Sequence, residues 1–149
     1  MASSTADAIV GEARRESALW ASALRAEPEW EDVFSPLAPA GFELGLETVY
    51  EACLVHYGRP RLFDPDGDSE RILLGDYLYA HGLVRIAEAG GVSVVAAMAE
   101  LISRCAALRA TGEQGDGDAW VDAARSLGGD PARADVDRAL ERHLARVEV

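Results

Sequence analysis

The chain has 149 residues, about half of them apolar, which is enough for one hydrophobic core and too much for a disordered chain. Its formal net charge of −12 repels phosphate backbones and anionic lipid surfaces, which argues against nucleic-acid and membrane binding. No apolar run reaches the length of a membrane span, and the opening Met1-Ala-Ser-Ser-Thr-Ala-Asp-Ala lacks the basic and apolar regions of a secretory signal, so a cytoplasmic location is expected.

All 14 basic residues are Arg. Without Lys the chain can form neither a Schiff base nor a P-loop phosphate clamp. The two cysteines, Cys53 and Cys105, fall on apolar helix faces and read as buried free thiols. The alternative is a metal site that joins Cys53 to His56, which would need ligands from distant positions.

The period of apolar residues is helical nearly throughout, with no convincing strand or internal repeat. The spacing predicts a single all-helical domain over 1–149, a bundle of about six helices. The first runs from about Ser4 to Ala26 with Ile9, Ala13, Trp20 and Leu24 on its stripe, and ends at Glu27-Pro28. A short helical turn through Trp30 to Phe34 and a proline-broken loop from Ser35 to Gly41 follow. The second helix spans about Gly41 to Tyr57, with Leu46, Val49, Tyr50, Cys53 and Leu54 at three- and four-residue steps. Gly58-Arg-Pro60 stops it, and a polar loop leads to Asp68 or Ser69, either of which can cap the third helix.

That third helix, about Glu70 to Ala89, is apolar over a wide arc and closes at Gly90-Gly91. The fourth, about Val92 to Ala110, is likewise broader than a narrow stripe. Both are either central in the fold or buried against another chain. Gly75 and Gly82, seven residues apart on one side of the third helix, permit close helix–helix approach. A glycine-rich acidic turn, a short helix from about Asp118 to Leu127, and a last helix opening at Asp130-Pro131 complete the chain.

Two segments carry a resemblance. Leu46-Glu-Thr-Val-Tyr-Glu-Ala-Cys-Leu-Val-His56 and Ile72-Leu-Leu-Gly-Asp-Tyr-Leu-Tyr-Ala80, in this order and spacing, resemble the middle of trans-polyprenyl diphosphate synthases. In that family a helix ending in Leu-Val-His leads into an aspartate-rich motif, a loop with an Arg-Arg-Gly element follows, and the next helix opens with Gly-Asp-Tyr-Leu. The resemblance covers about residues 41 to 112. Where the family continues with paired aspartates that hold Mg²⁺ on the allylic diphosphate, this chain has Tyr57 and Gly58. The family's second aspartate-rich motif and its diphosphate-binding lysine have no counterpart. The chain is thereby more similar to the short non-catalytic subunits of heterodimeric synthases.

The resemblance implies part of the isoprenoid synthase fold, no catalytic residue and no metal ligand. It implies no cofactor of the chain's own, Mg²⁺ entering only through a catalytic partner. The expected partner is a catalytic polyprenyl diphosphate synthase subunit or a second copy of the chain. Leu46, Val49 and Cys53 correspond to positions that line the family's prenyl cavity, and face either an apolar groove or the core. Arg59 and Arg61 lie in the region of the Arg-Arg-Gly element and are candidates for diphosphate binding, or else ordinary loop arginines. Leu78, Tyr79, Leu83, Met98 and Ile102 lie on the helices that form the family's subunit interface, and are expected at or near a chain–chain contact.

Two other readings stay open. One is a diverged Mg²⁺-dependent prenyl diphosphate enzyme with a metal site from Asp64, Asp66, Asp68 and Asp76. The other is a helical adaptor or dimerisation module outside isoprenoid metabolism. An EF-hand does not fit the acidic loop, because Gly75 and Tyr77 stand where the closing glutamate is required. His56 and His81 have no nucleophile or carboxylate motif beside them in sequence, which argues against a catalytic pair.

Overall fold

A computed structural model describes residues 3–147. It contains seven α-helices among the described residues: α1 (Ser4–Glu16), α2 (Ala18–Ser22), α3 (Glu43–Tyr57), α4 (Asp68–Gly90), α5 (Val92–Thr111), α6 (Asp116–Ser126) and α7 (Arg133–Val147), with one 3₁₀ turn at Ser35–Leu37. Among the described residues no helix is long and apolar enough to cross a membrane. The single first helix expected over 4–26 is divided. Ser17 is extended (φ −165°, ψ 156°), and its Oγ accepts the Trp20 amide at 3.1 Å as the N-cap of α2. The chain then leaves the helix altogether. Arg25 N donates to Leu62 O at 2.9 Å and Asp64 N to Ala23 O at 2.7 Å, so residues 23–25 pair with the loop after α3. At α4 neither Asp68 nor Ser69 caps. The helix begins at Asp68 behind Gly67 (φ 88°), and Glu70 accepts the Asp66 amide instead.

α3 is the centre of the molecule. Every residue from Gly45 to Val55 is buried, which requires neighbours on all sides. On one side it shares a core with the 3₁₀ turn, α5, α6 and α7, where Phe34 stacks on Trp120 (5.2 Å, 7°) and meets Tyr50 edge-on (5.3 Å, 82°). On the other side Ala52 and Val55 join Ala6, Ile9 and Ala13 of α1, Leu62 and Phe63 of the loop, and Leu74 and Leu78 of α4.

α3 and α4 form an antiparallel hairpin held close by glycine. A Cβ added at Gly75 would lie 2.3 Å from His56 Nε2, and one at Gly82 would lie 2.4 Å from Val49 Cγ2 and 3.0 Å from Val49 N. Gly45 meets Ile86 in the same way at 2.8 Å. The paired numbers fall as α3 rises, which fixes the antiparallel register. Because backbone as well as side chain blocks the added methyl, Gly82→Ala must push the two helices apart. It is expected to cost about 1–3 kcal/mol by overpacking. Thermal denaturation followed by circular dichroism checks this against Ala80→Leu, which is exposed on the same helix and should leave the midpoint unchanged.

Candidate functional site

The loop after α3 carries a fully buried charge. Arg61 is fully buried, and so are Glu47 and Glu51, four residues apart on α3. Arg61 Nε donates to Glu51 Oε1 at 2.9 Å, and one terminal nitrogen donates to Glu47 Oε1 and to Glu31 O. The other donates to Glu47 O at 3.1 Å. The remaining carboxylate oxygens serve the backbone. Glu47 Oε2 accepts the amides of Val33 and Ser35, and Glu51 Oε2 accepts those of Arg61 and Leu62. The guanidinium lies 4.0 Å over the Trp30 ring and 5.0 Å from that of Tyr50. Burial opposes its charge, and the two carboxylates outweigh burial, so Arg61 is held protonated more firmly than a free arginine.

This placement corrects the expectation for Arg61. A diphosphate has no access to it, because its donors are consumed inside the fold. Arg59 lies on the surface and is engaged differently. Its backbone amide and its guanidinium donate to the carbonyls of Arg146 and Ala145 at the end of α7. The two arginines thus face apart and do not form one anion-binding fork.

Leu46, Val49 and Cys53 lie within the packed core at no more than 2 % exposure. Of the interface candidates, Leu78 and Met98 are core residues with almost no exposed surface, which corrects their assignment to a chain–chain contact. Tyr79, Leu83 and Ile102 are half-buried at the edge of the core. The apolar side chains that do face outward on these helices are Ile72, Leu73, Val84 and Val92, the last 85 % exposed. Their outward direction follows from helical phase once the buried face is known, and sequence alone leaves that phase open.

Asp64, Asp66, Asp68 and Asp76 are all exposed, and no group of three or more His, Cys, Asp or Glu that could hold a metal ion occurs among the described residues. The alternative site made of those aspartates is therefore not assembled in this structure, and neither is one around Cys53 and His56. His56 packs instead on Gly75, stacks on Tyr79 at 5.1 Å, and brings Nε2 to 3.5 Å from Asp76 Oδ1. Burial lowers the His56 pKa, and Asp76 only partly restores it. Cys53 and Cys105 are free and buried. A hydrogen bond with Cys105 and burial push the Cys53 thiol well up, which leaves it unreactive.

A second buried polar chain links four helices. Tyr50 hydroxyl lies 2.7 Å from His143 Nδ1, His143 Nε2 lies 3.2 Å from Asp116 Oδ1, and Asp116 Oδ2 accepts from Arg109. Sequence reading missed it, because its members are spread over α3, α5, α6 and α7. The order resembles a proton relay, but Tyr50 is fully buried and cannot meet a substrate. The chain of contacts is structural.

Two predictions follow from these networks. Arg61→Met leaves two buried carboxylates without their cation and is expected to cost about 3–5 kcal/mol, read from urea denaturation. For Asp116, burial alone would raise the pKa, but His143 and Arg109 overcome this and hold it well below the usual carboxylate range. A depressed acid contributes stability that is present above its unfolded pKa and lost as pH falls below it. Between about pH 5 and about pH 3 the wild-type melting temperature should therefore fall more steeply than that of Asp116→Asn. Parallel slopes would show that Asp116 is not held in this way.

Comparison of the chain with models of known families, with characterised proteins and with solved structures gives no match.

Proposed function

We propose that the chain is a non-catalytic subunit of a polyprenyl diphosphate synthase, supporting a catalytic partner that joins isopentenyl diphosphate to an allylic diphosphate. The observation that carries this reading is the α3–α4 hairpin. The two segments that resemble the synthases pack against each other there. His56, at the end of the first, sits on Gly75 and 3.5 Å from Asp76 at the start of the second. Tyr57 and Gly58 follow directly, in place of the carboxylates that would hold Mg²⁺. The leaving diphosphate would find no metal clamp on this chain, so the chemistry falls to the partner.

The outer faces of α4 and α5 suit such a partner. Leu73, Ala80 and Val84 are exposed along α4, and Val92, Ala96, Ala99, Ser103 and Ala106 along α5. The α5 stripe of Val92, Ala96, Ala99, Ser103 and Ala106 is uncharged, with exposed Glu100 and Arg104 along one flank. Apolar surface of this kind is what an obligate interface buries. The same stripe favours a second reading, a homodimeric adaptor, because it offers small uncharged side chains along which two copies of α5 could approach.

Molar mass by light scattering, alone and mixed with a polyprenyl synthase from the same cell, separates these. A defined heteromer supports the subunit reading, a homodimer indifferent to the synthase supports the adaptor, and a monomer in both conditions removes both. Val84→Glu with Val92→Glu should abolish the complex, because the introduced carboxylates lose their hydration at the contact. Both positions are exposed, so the melting temperature of the isolated chain should not change. The isolated chain should form no prenyl product with Mg²⁺ present.

A further inference from the structure

One apolar stripe runs through α1 and α2 and across the break between them. At about 100° per residue, Ala6, Ile9 and Ala13 of α1 and Trp20 and Leu24 beyond it fall within an arc of about 60°. Ser17 alone interrupts the helix that this stripe describes. It is extended (φ −165°, ψ 156°), and its Oγ accepts the Trp20 amide at 3.1 Å. Its own amide still donates to Ala13 O at 3.3 Å, and its carbonyl accepts from the Ala21 amide at 3.1 Å. Both follow the pattern of a continuous helix. Turning Ser17 into the helical region would return the amides of residues 18–20 to the carbonyls of residues 14–16 and fuse α1 to α2.

The two sides of this hinge are held differently. Beyond Ser17 the chain is anchored: Trp20 packs on Tyr77 of α4 at 5.4 Å, Ala23 is buried, and residues 23–25 pair with 62–64. Before it, α1 buries Ala6, Ile9 and Ala13, and its Glu12 stands 3.8 Å from both His81 and Arg85 of α4. The surface under α1 is the groove between α3 and α4, where Ala52, Val55, Leu74 and Leu78 belong to the same core as Ile9. Straightening at Ser17 would lift α1, a rod about 20 Å long, off that groove with its stripe intact. Both faces are apolar, and leaving them in water is unfavourable.

The surface that fits the freed stripe is the same groove on a second copy, vacated in the same way. We propose that the α3–α4 groove is an interaction surface for α1 of a second copy, two chains exchanging their first helices across a two-fold axis. Each contact of α1 reappears between chains, so the exchange alters the two Ser17 hinges and adds the entropy of association. At each hinge the regained backbone hydrogen bonds favour exchange, and the lost Ser17 cap opposes it. Connectivity opposes it too, because it presents α1 to its own groove at an effective concentration of about 1 mM. The wild-type chain therefore exchanges when concentrated, and residue 17 sets the balance. The exchange is independent of the subunit reading and does not use Val84 or Val92.

Light scattering after size separation, on full chains first held at about 1 mM, supplies the test. Ser17→Ala removes the cap and favours helix, and each dimer has two hinges, so its dimerisation constant should exceed that of the wild type by at least about tenfold. Ser17→Gly permits the extended hinge and disfavours a continuous helix, so its constant should not exceed that of the wild type. Adding Val84→Glu and Val92→Glu should leave the Ser17→Ala dimer intact, which separates it from any complex through the α4–α5 face. In Ser17→Ala dimers mixed from isotope-labelled and unlabelled chains, isotope-filtered spectra should place the Ile9 methyl groups of one copy against those of Val55, Leu74 or Leu78 of the other. Four results would each overturn the proposal: a folded Ser17→Ala chain that stays monomeric at about 1 mM, equal dimerisation of Ser17→Ala and Ser17→Gly, a dimer lost with the two glutamates, or Ile9 contacts confined to one copy.

Discussion

A single guanidinium organises the region around α3. Arg61 gathers Glu47, Glu51 and the carbonyl of Glu31, and the two carboxylates in turn hold four backbone amides from two separate loops. Buried ion triads in general can often be exchanged for apolar side chains at little cost. Here that exchange is closed. An apolar residue at 47 or 51 would strand the amides of Val33 and Ser35, or of Arg61 and Leu62, inside the protein. The network is thus less a salt bridge than a substitute for secondary structure. It supplies the hydrogen bonds that the irregular segments before and after α3 cannot make for themselves. The position of Phe34 over Trp120 and Tyr50, and hence the larger core, depends on the loop being fixed in this way.

The helices were legible because their signals are local. Apolar spacing, Gly90-Gly91 and the break at Gly58-Arg-Pro60 place α3, α4 and α5 to within about two residues. The division at Ser17 was hidden because Ser17 lies between two apolar stripes of the same phase. What breaks the helix is its role as a cap and the pairing of residues 23–25 with 62–64, a partner 40 residues away. Arg61 was misplaced for a related reason. A loop arginine beside prolines reads as solvated, and its burial is decided by Glu47 and Glu51. Those two glutamates were the available signal, since two acids four apart in an otherwise apolar helix require a buried cation.

Polar side chains that lie between core and surface were the least legible. Arg109, Asp116 and His143 look like ordinary surface residues of separate helices, and only the packing of α6 against α7 brings them to Tyr50. Leu78 and Met98 show the opposite error. Both helices are apolar over a wide arc, which reads as room for a partner, and the structure spends the Leu78 and Met98 part of that arc inward on two cores while leaving Ile72, Leu73, Val84 and Val92 outside. The glycines of the α3–α4 hairpin needed no such information. Gly75 and Gly82 could serve close approach only on the face they share, and the structure uses both there.

The reach of the contacts bears on how the chain assembles. The carboxylate bonds around Arg61 span sequence separations of 10 to 14 residues, and α3 meets α4 across one short loop. α7 is different. Arg142 and Arg146 reach back to Asp32 and Glu29 across 110 and 117 residues. Loop-closure entropy makes such long-range contacts the slow ones to form. The central hairpin and its ionic hub therefore have the character of a nucleus, and α7 that of a clasp added late. Anything that holds α7 against α6 would act on the closing step of folding and lengthen the lifetime of the closed state, with little effect on how fast the centre collapses.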